Sequence, residues 1–98
     1  MKIAELKSDN LRRINISGKI VEISEHRDVI TRTGESSRVA TAILQDETGS
    51  IKLSLWNEDI DRIQVNDEVQ IENGYTSSFM GEIQLNSGRF GKINIINR

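Results

Sequence analysis

Aromatic rings that stand among polar residues are the feature of this sequence most suited to chemistry. All four rings, Trp56, Tyr75, Phe79 and Phe90, fall in the second half of the chain, outside the runs of Ile, Leu and Val. A small domain normally uses its rings to fill its interior, so rings left outside indicate a contact surface. Flat exposed rings stack on unstacked nucleic-acid bases, at roughly 1–3 kcal/mol per base. We therefore predict a stacking surface made of Trp56, Tyr75 and Phe79, and leave the role of Phe90 open.

Cations beside such rings would hold the phosphates of the same nucleic acid strand. The candidate cations are Lys52, Arg27, Arg32, Arg38 and Arg89. Three of these arginines belong to the polar segment HRDVITRTGESSR, which also contains Val29 and Ile30. In one interpretation this segment is a protruding loop that closes over DNA, with Ile30 against a sugar or base. In the other, Val29 and Ile30 pair as hairpin strands and the arginines are solvated.

The composition excludes several kinds of catalytic and metal site. The chain has no cysteine and a single histidine, His26. Thiolate catalysis, cysteine-ligated zinc and a multi-histidine metal site are therefore ruled out. The acidic run around Glu58 and Asp61 lacks the glycine and ligand order of a calcium loop, and acids are common in the first turn of any helix. We expect no enzyme activity, no cofactor and no bound metal.

The overall charge is −2 with a pI near 5.4, whereas nucleic-acid-binding proteins are usually basic. Six of the fifteen acids, however, crowd into residues 58–72, and the candidate cations lie in other segments. A locally basic groove is thus compatible with an acidic chain.

No stretch has the roughly 18 apolar residues of a membrane span, and the polar start MKIAELKSDN is not a signal peptide. We expect a soluble cytoplasmic protein, associated with the nucleoid and not with a membrane.

Short runs with apolar residues at spacing two, and the absence of proline, predict that strands dominate. In the run IKLSLW, Lys52 and Trp56 point away from the face formed by the aliphatic residues. The predicted order begins with a lead-in over residues 1–12, a long strand from Ile14 with a bulge at Ile20–Val21, and a loop over 26–37. Two strands over 38–45 and 51–56 follow, and then a short helix over 57–64 that is capped by Asn57. The last elements are strands from Val69 and around 83–85 and an extension over 92–98.

Five strands with a short helix between the third and fourth, and long loops after the first and fourth, are typical of a Greek-key barrel of the OB type. We therefore predict an all-β fold in which residues 1–98 form one nucleic-acid-binding domain. The groove of such barrels lies over the strand that would carry Lys52 and Trp56.

Two segments, DETGSIKLSLW over 46–56 and IENGYTSSFMGEIQLNSG over 71–88, closely resemble the crenarchaeal single-stranded DNA-binding proteins built from one OB fold. They also resemble the DNA-binding domains of replication protein A and the human single-OB sensor proteins. The resemblance implies that Trp56, Tyr75 and Phe79 are the base-stacking residues. The human proteins carry a fourth ring at the position of Asn86.

Together these observations predict a monomer that binds single-stranded DNA with little sequence preference during replication, recombination or repair, with replication or repair proteins as further partners. Two alternatives stay open. One is an OB module used for protein–protein contact in a replication protein A-like factor. The other is an RNA-binding OB domain, because a stacking surface accepts either nucleic acid.

Overall fold

The computed structural model describes residues 2–8, 10–87 and 91–97, with the backbone alone of Phe79. Within these residues the chain forms seven strands, one 3₁₀ turn and one short α-helix. The 3₁₀ turn is Ile3–Glu5, the strands are β1 (Ile14–Ile23), β2 (Arg27–Ile30), β3 (Ser36–Asp46), β4 (Gly49–Trp56), β5 (Glu68–Phe79), β6 (Glu82–Asn86) and β7 (Lys92–Asn97), and the helix is α1 (Glu58–Arg62).

Strand β1 bends and serves two neighbours. Its first half pairs with β5 and its second half with β3, and Lys19 is paired on both sides. The pairing register shifts between Ile20 and Glu22, which leaves Val21 as the bulged residue predicted from the sequence. At Gly18 a Cβ atom would lie 2.7 Å from the carbonyl oxygen of Gln45, so only glycine permits this close approach.

Five strands close into a ring in the order β1, β3, β4, β6, β5 and back to β1. All contacts in the ring are antiparallel except the one between β4 and β6, where Lys52 pairs with Gln84 and Ser54 with Asn86. Helix α1 lies between the third and fourth ring strands in chain order, as predicted. The predicted number of five strands was too low, because two further strands lie beside the ring: β2 pairs with β3, and β7 pairs with β5.

The inside of the ring is aliphatic. The buried side chains are Ile, Leu, Val and Ala, and no aromatic residue belongs to this cluster in the described part of the chain. Its centre consists of fully buried side chains from every ring strand: Ile20, Ala42, Leu44, Leu53, Leu55, Val69, Ile71 and Leu85. The core therefore forms without Trp56 and Tyr75, which are free to face outward.

One end of the ring is covered by the lead-in. Ile3 and Leu6 are buried there, and the Asp46 carboxylate accepts hydrogen bonds from the Ile3 N–H at 2.9 Å, from the Thr48 N–H at 2.7 Å and from the Thr48 hydroxyl at 2.6 Å. Partial desolvation opposes ionisation of Asp46, but these bonds and one from the Gly49 N–H outweigh it and lower the Asp46 pKa to about 2. The turn over 46–49 thus joins β3 to β4 and also fixes the lead-in.

Two local predictions were wrong. The segment over 26–37 is mostly a hairpin, because β2 pairs with β3 from Arg27–Val39 to Ile30–Ser36. The helix is not capped by the Asn57 side chain: Asn57 has a left-handed φ of 49°, and its Oδ1 accepts a hydrogen bond from the Arg38 N–H at 2.9 Å. Asn57 therefore ties the start of α1 to β3.

Candidate nucleic-acid interface

The outer face of the ring carries aligned polar and aromatic side chains where β3, β4, β6 and β5 lie side by side. The pairing places Val39 opposite Trp56, and Thr41 opposite Ser54, which is next to Asn86. Asn86 in turn pairs with Tyr75 on β5. Because side chains alternate along each strand, these residues share one face of the sheet. The sequence prediction that Lys52 and Trp56 face away from the core is confirmed.

A groove of about 810 Å³ runs over this face, and we call it the main groove. The β2–β3 hairpin bounds it on one side, and the tight turn between β5 and β6 bounds it on the other. Its lining residues are Ser24, Arg27, Val29, Ile30, Val39, Thr41, Lys52, Ser54, Trp56, Ser77, Ser78, Met80, Glu82, Gln84 and Asn86. The groove is open and is lined from all of the strands β2 to β6, an extent that suits an extended polymer better than a small molecule.

The predicted rings do not all lie in this groove. Trp56 lines it and is 38% exposed. Tyr75, 41% exposed, lines a neighbouring groove of about 530 Å³, which we call the Tyr75 groove, together with Asn10, Leu11, Arg12, Arg13, Asn73, Gly74, Thr76, Ser77 and Ser87. Phe79 ends β5, where its backbone pairs with Glu82, and its side chain is outside the described part of the structure. Phe90 is also outside the described residues.

Among the described residues, Arg27 and Lys52 are the cations that line the main groove. The Lys52 Nζ lies 2.6 Å from an oxygen of Glu82, the single carboxylate among the described lining residues. Both side chains are about half exposed, so the pair contributes little to stability, on the order of 0–1 kcal/mol. A phosphate group would compete with Glu82 for Lys52. Arg27 has no ion pair with any described residue and is exposed.

The structure does not bring Arg38 into the main groove. Its guanidinium lies 2.8 Å from the Asp61 carboxylate and also donates to the Asn57 carbonyl oxygen. The hydrogen bond from Arg38 is the main reason that the Asp61 pKa falls below its ordinary value. Arg32 lies at the exposed tip of the hairpin and does not line the groove, and Arg89 is outside the described residues. Of the five predicted phosphate contacts, the described structure therefore places Arg27 and Lys52 in the main groove, and the roles of the other three in DNA binding stay predictions.

Exposed apolar side chains stand at both edges of the main groove. Ile30, at the end of β2, is 72% exposed, and Met80, in the β5–β6 turn, is 88% exposed. Met80 and Gly81 have φ values of 51° and 83°, which define a two-residue hairpin turn that normally favours Asn or Gly. Hairpin pairing of Val29 and Ile30 is confirmed, yet both still line the groove. That the segment closes over DNA, with Ile30 against a sugar or base, stays a prediction.

Sequence reasoning missed the polar floor of the main groove. Thr41, Ser54 and Gln84 lie between the aromatic and charged residues, and Asn86, only 8% exposed, donates from Nδ2 to the Ser77 hydroxyl at 3.0 Å. Asn86 is therefore part of the floor, and not an open position for a ring. The alternation that placed Trp56 outward also places Ser54 outward. The same alternation on β3 and β6 places Thr41, Gln84 and Asn86 on this face.

The described residues contain no group of three or more His, Cys, Asp or Glu side chains placed to hold a metal ion. Among them there is also no helix long and apolar enough to cross a membrane.

Comparison with known proteins gives the same picture. The chain is 38% identical over 92 residues to the Single-stranded DNA binding protein Ssb of Saccharolobus solfataricus, covering 94% of this chain and 61% of that protein. It is 38% identical over 73 residues to Replication factor A of Methanothermobacter thermautotrophicus, covering 74% of this chain and 9% of that protein. The chain thus spans less than two thirds of both relatives.

The second OB-fold domain of replication protein A from Methanococcus maripaludis has a similar structure, with a TM-score of 0.80, 26% identity, and coverage of 100% of this chain and 95% of that domain. Residues 7–95 match the family described as single-stranded DNA binding protein Ssb-like, OB fold. This match covers nearly the whole sequence and includes every ring strand and both grooves. The chain therefore belongs to the Ssb-like OB-fold family of single-stranded DNA binding proteins.

Proposed function

We propose that this chain binds single-stranded DNA along the main groove, with little sequence preference, during replication, recombination or repair. The observation that carries the proposal is the partly exposed ring of Trp56 in the same open groove as Arg27, which has no ion pair with any described residue. A base stacks on Trp56, and Arg27 and Lys52 hold phosphates. Tyr75 and Phe79 are proposed as the further stacking residues, as the family resemblance implies.

The local charge supports this proposal although the chain is acidic overall. The described lining of the main groove contains Arg27, Lys52 and Glu82, which gives a local charge of +1 against −2 for the whole chain. With few cations, affinity depends more on stacking than in strongly basic proteins, so we expect a shallow dependence on salt.

The relatives support the same polymer and process. One relative is named a single-stranded DNA binding protein, and the other a replication factor. We also propose that the protein binds as a monomer. We further propose that the chain acts in the cytoplasm at the nucleoid, has no catalytic activity, and works beside replication or repair proteins.

A fluorescence titration tests the proposal, because Trp56 is the sole tryptophan and lies in the groove. Single-stranded DNA should quench Trp56, and matched RNA and duplex DNA should bind more weakly, at each of two salt concentrations. Tighter binding of RNA would favour the RNA-binding alternative. Lack of quenching by any oligonucleotide would refute the proposal and favour a protein-contact role.

A pair of matched variants separates groove cations from other surface cations. Arg27→Gln removes a groove charge and should weaken binding about fivefold at about 0.1 M salt, because one phosphate contact contributes about 0.7 to the salt slope. Arg38→Gln removes the same charge beside Asp61, outside the groove, and should leave the affinity unchanged. Equal effects of the two substitutions would mean that only net charge matters.

A further inference from the structure

The described lining of the Tyr75 groove carries a formal charge of +2, against +1 for the main groove. Its described lining includes Arg12 and Arg13 and no carboxylate, whereas the main groove has Glu82 beside Lys52. The ring of Tyr75 lies in the same groove and is 41% exposed. An aromatic ring with two adjacent cations fits a nucleotide, whose base stacks and whose phosphates are anionic.

The two arginines are held in place by the segment that precedes them. Thr76, which is 1% exposed, donates from its hydroxyl to the Ser8 carbonyl oxygen at 2.8 Å and accepts from the Leu11 N–H at 2.9 Å. Its backbone accepts from the Asn10 N–H and donates to the Leu11 carbonyl oxygen. These four bonds fix the lead-in on β5 beside Tyr75. Arg12 and Arg13 directly follow this anchor.

Neither arginine is engaged elsewhere within the part of the chain that the structure describes. Both are exposed, and no hydrogen bond or ion pair to a described residue involves either side chain. Arg13 also has a φ of 55°, a left-handed conformation that is uncommon for a long side chain. Such outliers concentrate at binding sites, where the surrounding structure holds them.

The two grooves form one continuous surface. Ser77 lines both, and Tyr75 pairs with Asn86, which belongs to the floor of the main groove. A strand that stacks on Trp56 and crosses the β6 floor reaches Tyr75 next.

We propose that Arg12 and Arg13 of the lead-in bind two phosphates of the single-stranded DNA, on either side of the base that the proposed function already places on Tyr75. This assignment rests on the proposed function, and it makes the lead-in part of the binding site. Oligonucleotides long enough to reach the Tyr75 groove therefore bind more tightly than those that fill the main groove alone.

The test compares two lengths of oligo-dT, of about four and about twelve nucleotides, by Trp56 quenching. The variant is Arg12→Gln with Arg13→Asn, because Asn tolerates the left-handed conformation at position 13. Loss of two phosphate contacts should lower the salt slope for the longer oligomer by about 1.4 and its affinity about 25-fold at about 0.1 M salt. The affinity for the short oligomer should stay as in the parent protein.

Two further variants serve as controls. Lys19→Gln removes one exposed charge from a different surface, beside Glu68, and should not change binding of either oligomer. Arg12→Gln alone should give about half of the change in slope, and it replaces the double variant if thermal melting shows that the double variant is unfolded.

The outcomes are distinct. If the parent protein gains no affinity with length, or the double variant binds the long oligomer as well as the parent does, the Tyr75 groove is not on the DNA path. Equal losses on the two lengths would also overturn the proposal, because the arginines would then act on the main groove. If the parent protein quenches with neither oligomer, the proposed function itself fails, and the inference fails with it.

Discussion

Replacing Trp56 with alanine is the most direct test of stacking in the main groove. With roughly 250 Å² for a whole tryptophan, the exposed 38% leaves roughly 95 Å² for a base to cover. At about 25 cal/mol/Å², covering this area contributes about 2 kcal/mol, within the range of roughly 1–3 kcal/mol for one stacked base. We therefore expect Trp56→Ala to weaken binding of single-stranded DNA about 30-fold.

The assay must not depend on Trp56, because the variant contains no tryptophan. Anisotropy of a dye-labelled oligonucleotide, or calorimetry, measures both proteins in the same way. Trp56→Phe keeps a ring and should retain most of the affinity, and Ile96→Ala removes an exposed apolar side chain that does not line the main groove. The reasoning is refuted if Trp56→Ala binds as tightly as the parent protein, or if it unfolds, since the ring would then be a structural element.

Three other predictions follow from contacts of the groove and the lead-in. Glu82→Gln releases Lys52 from its ion pair, so single-stranded DNA should bind about fivefold more tightly at about 0.1 M salt. The dependence of the affinity on salt should also become steeper by about 0.7. Unchanged affinity would show that Lys52 does not contact a phosphate. Because the folded-state pKa of Asp46 is about 2, below its ordinary 3.8, ionised Asp46 stabilises the fold above about pH 4, and this contribution is lost as the pH falls towards 2. Asp46→Asn should lower the urea midpoint at neutral pH but not near pH 2, and a constant difference would contradict the assignment. Thr76→Val leaves the Ser8 carbonyl and the Leu11 N–H without their partner and should cost roughly 1–3 kcal/mol in urea unfolding, whereas Thr76→Ser should keep most of the stability.

The ring and its helix were predictable because they follow from local patterns. Alternation placed Trp56 and Lys52 outward, and the doubled apolar pair after Gly18 located the bulge at Val21. Pairing of Arg27–Ile30 as a hairpin strand was one of two open interpretations, because RDVI is short and half polar and its contact with β3 decides its conformation.

Side-chain partners that are distant in sequence were also beyond prediction. Asp61 is 23 residues from Arg38, and Glu82 is 30 residues from Lys52, so no local pattern reveals either ion pair. The division of the rings between two grooves depends on the lead-in, which Thr76 holds against β5. That contact joins residues 68 positions apart and becomes visible only in the folded chain.

The parallel pairing of β4 with β6 has a consequence for how bases are read. It closes the sheet beneath the main groove, so in the described part of the floor the backbone amides of β3, β4 and β6 are engaged with each other. Base edges over this part of the floor then meet side chains such as Thr41, Ser54 and Gln84. Hydroxyl and amide groups both donate and accept, and hydroxyls rotate to suit either role. We expect such a floor to satisfy purines and pyrimidines alike, which makes it chemically indifferent to the order of the bases.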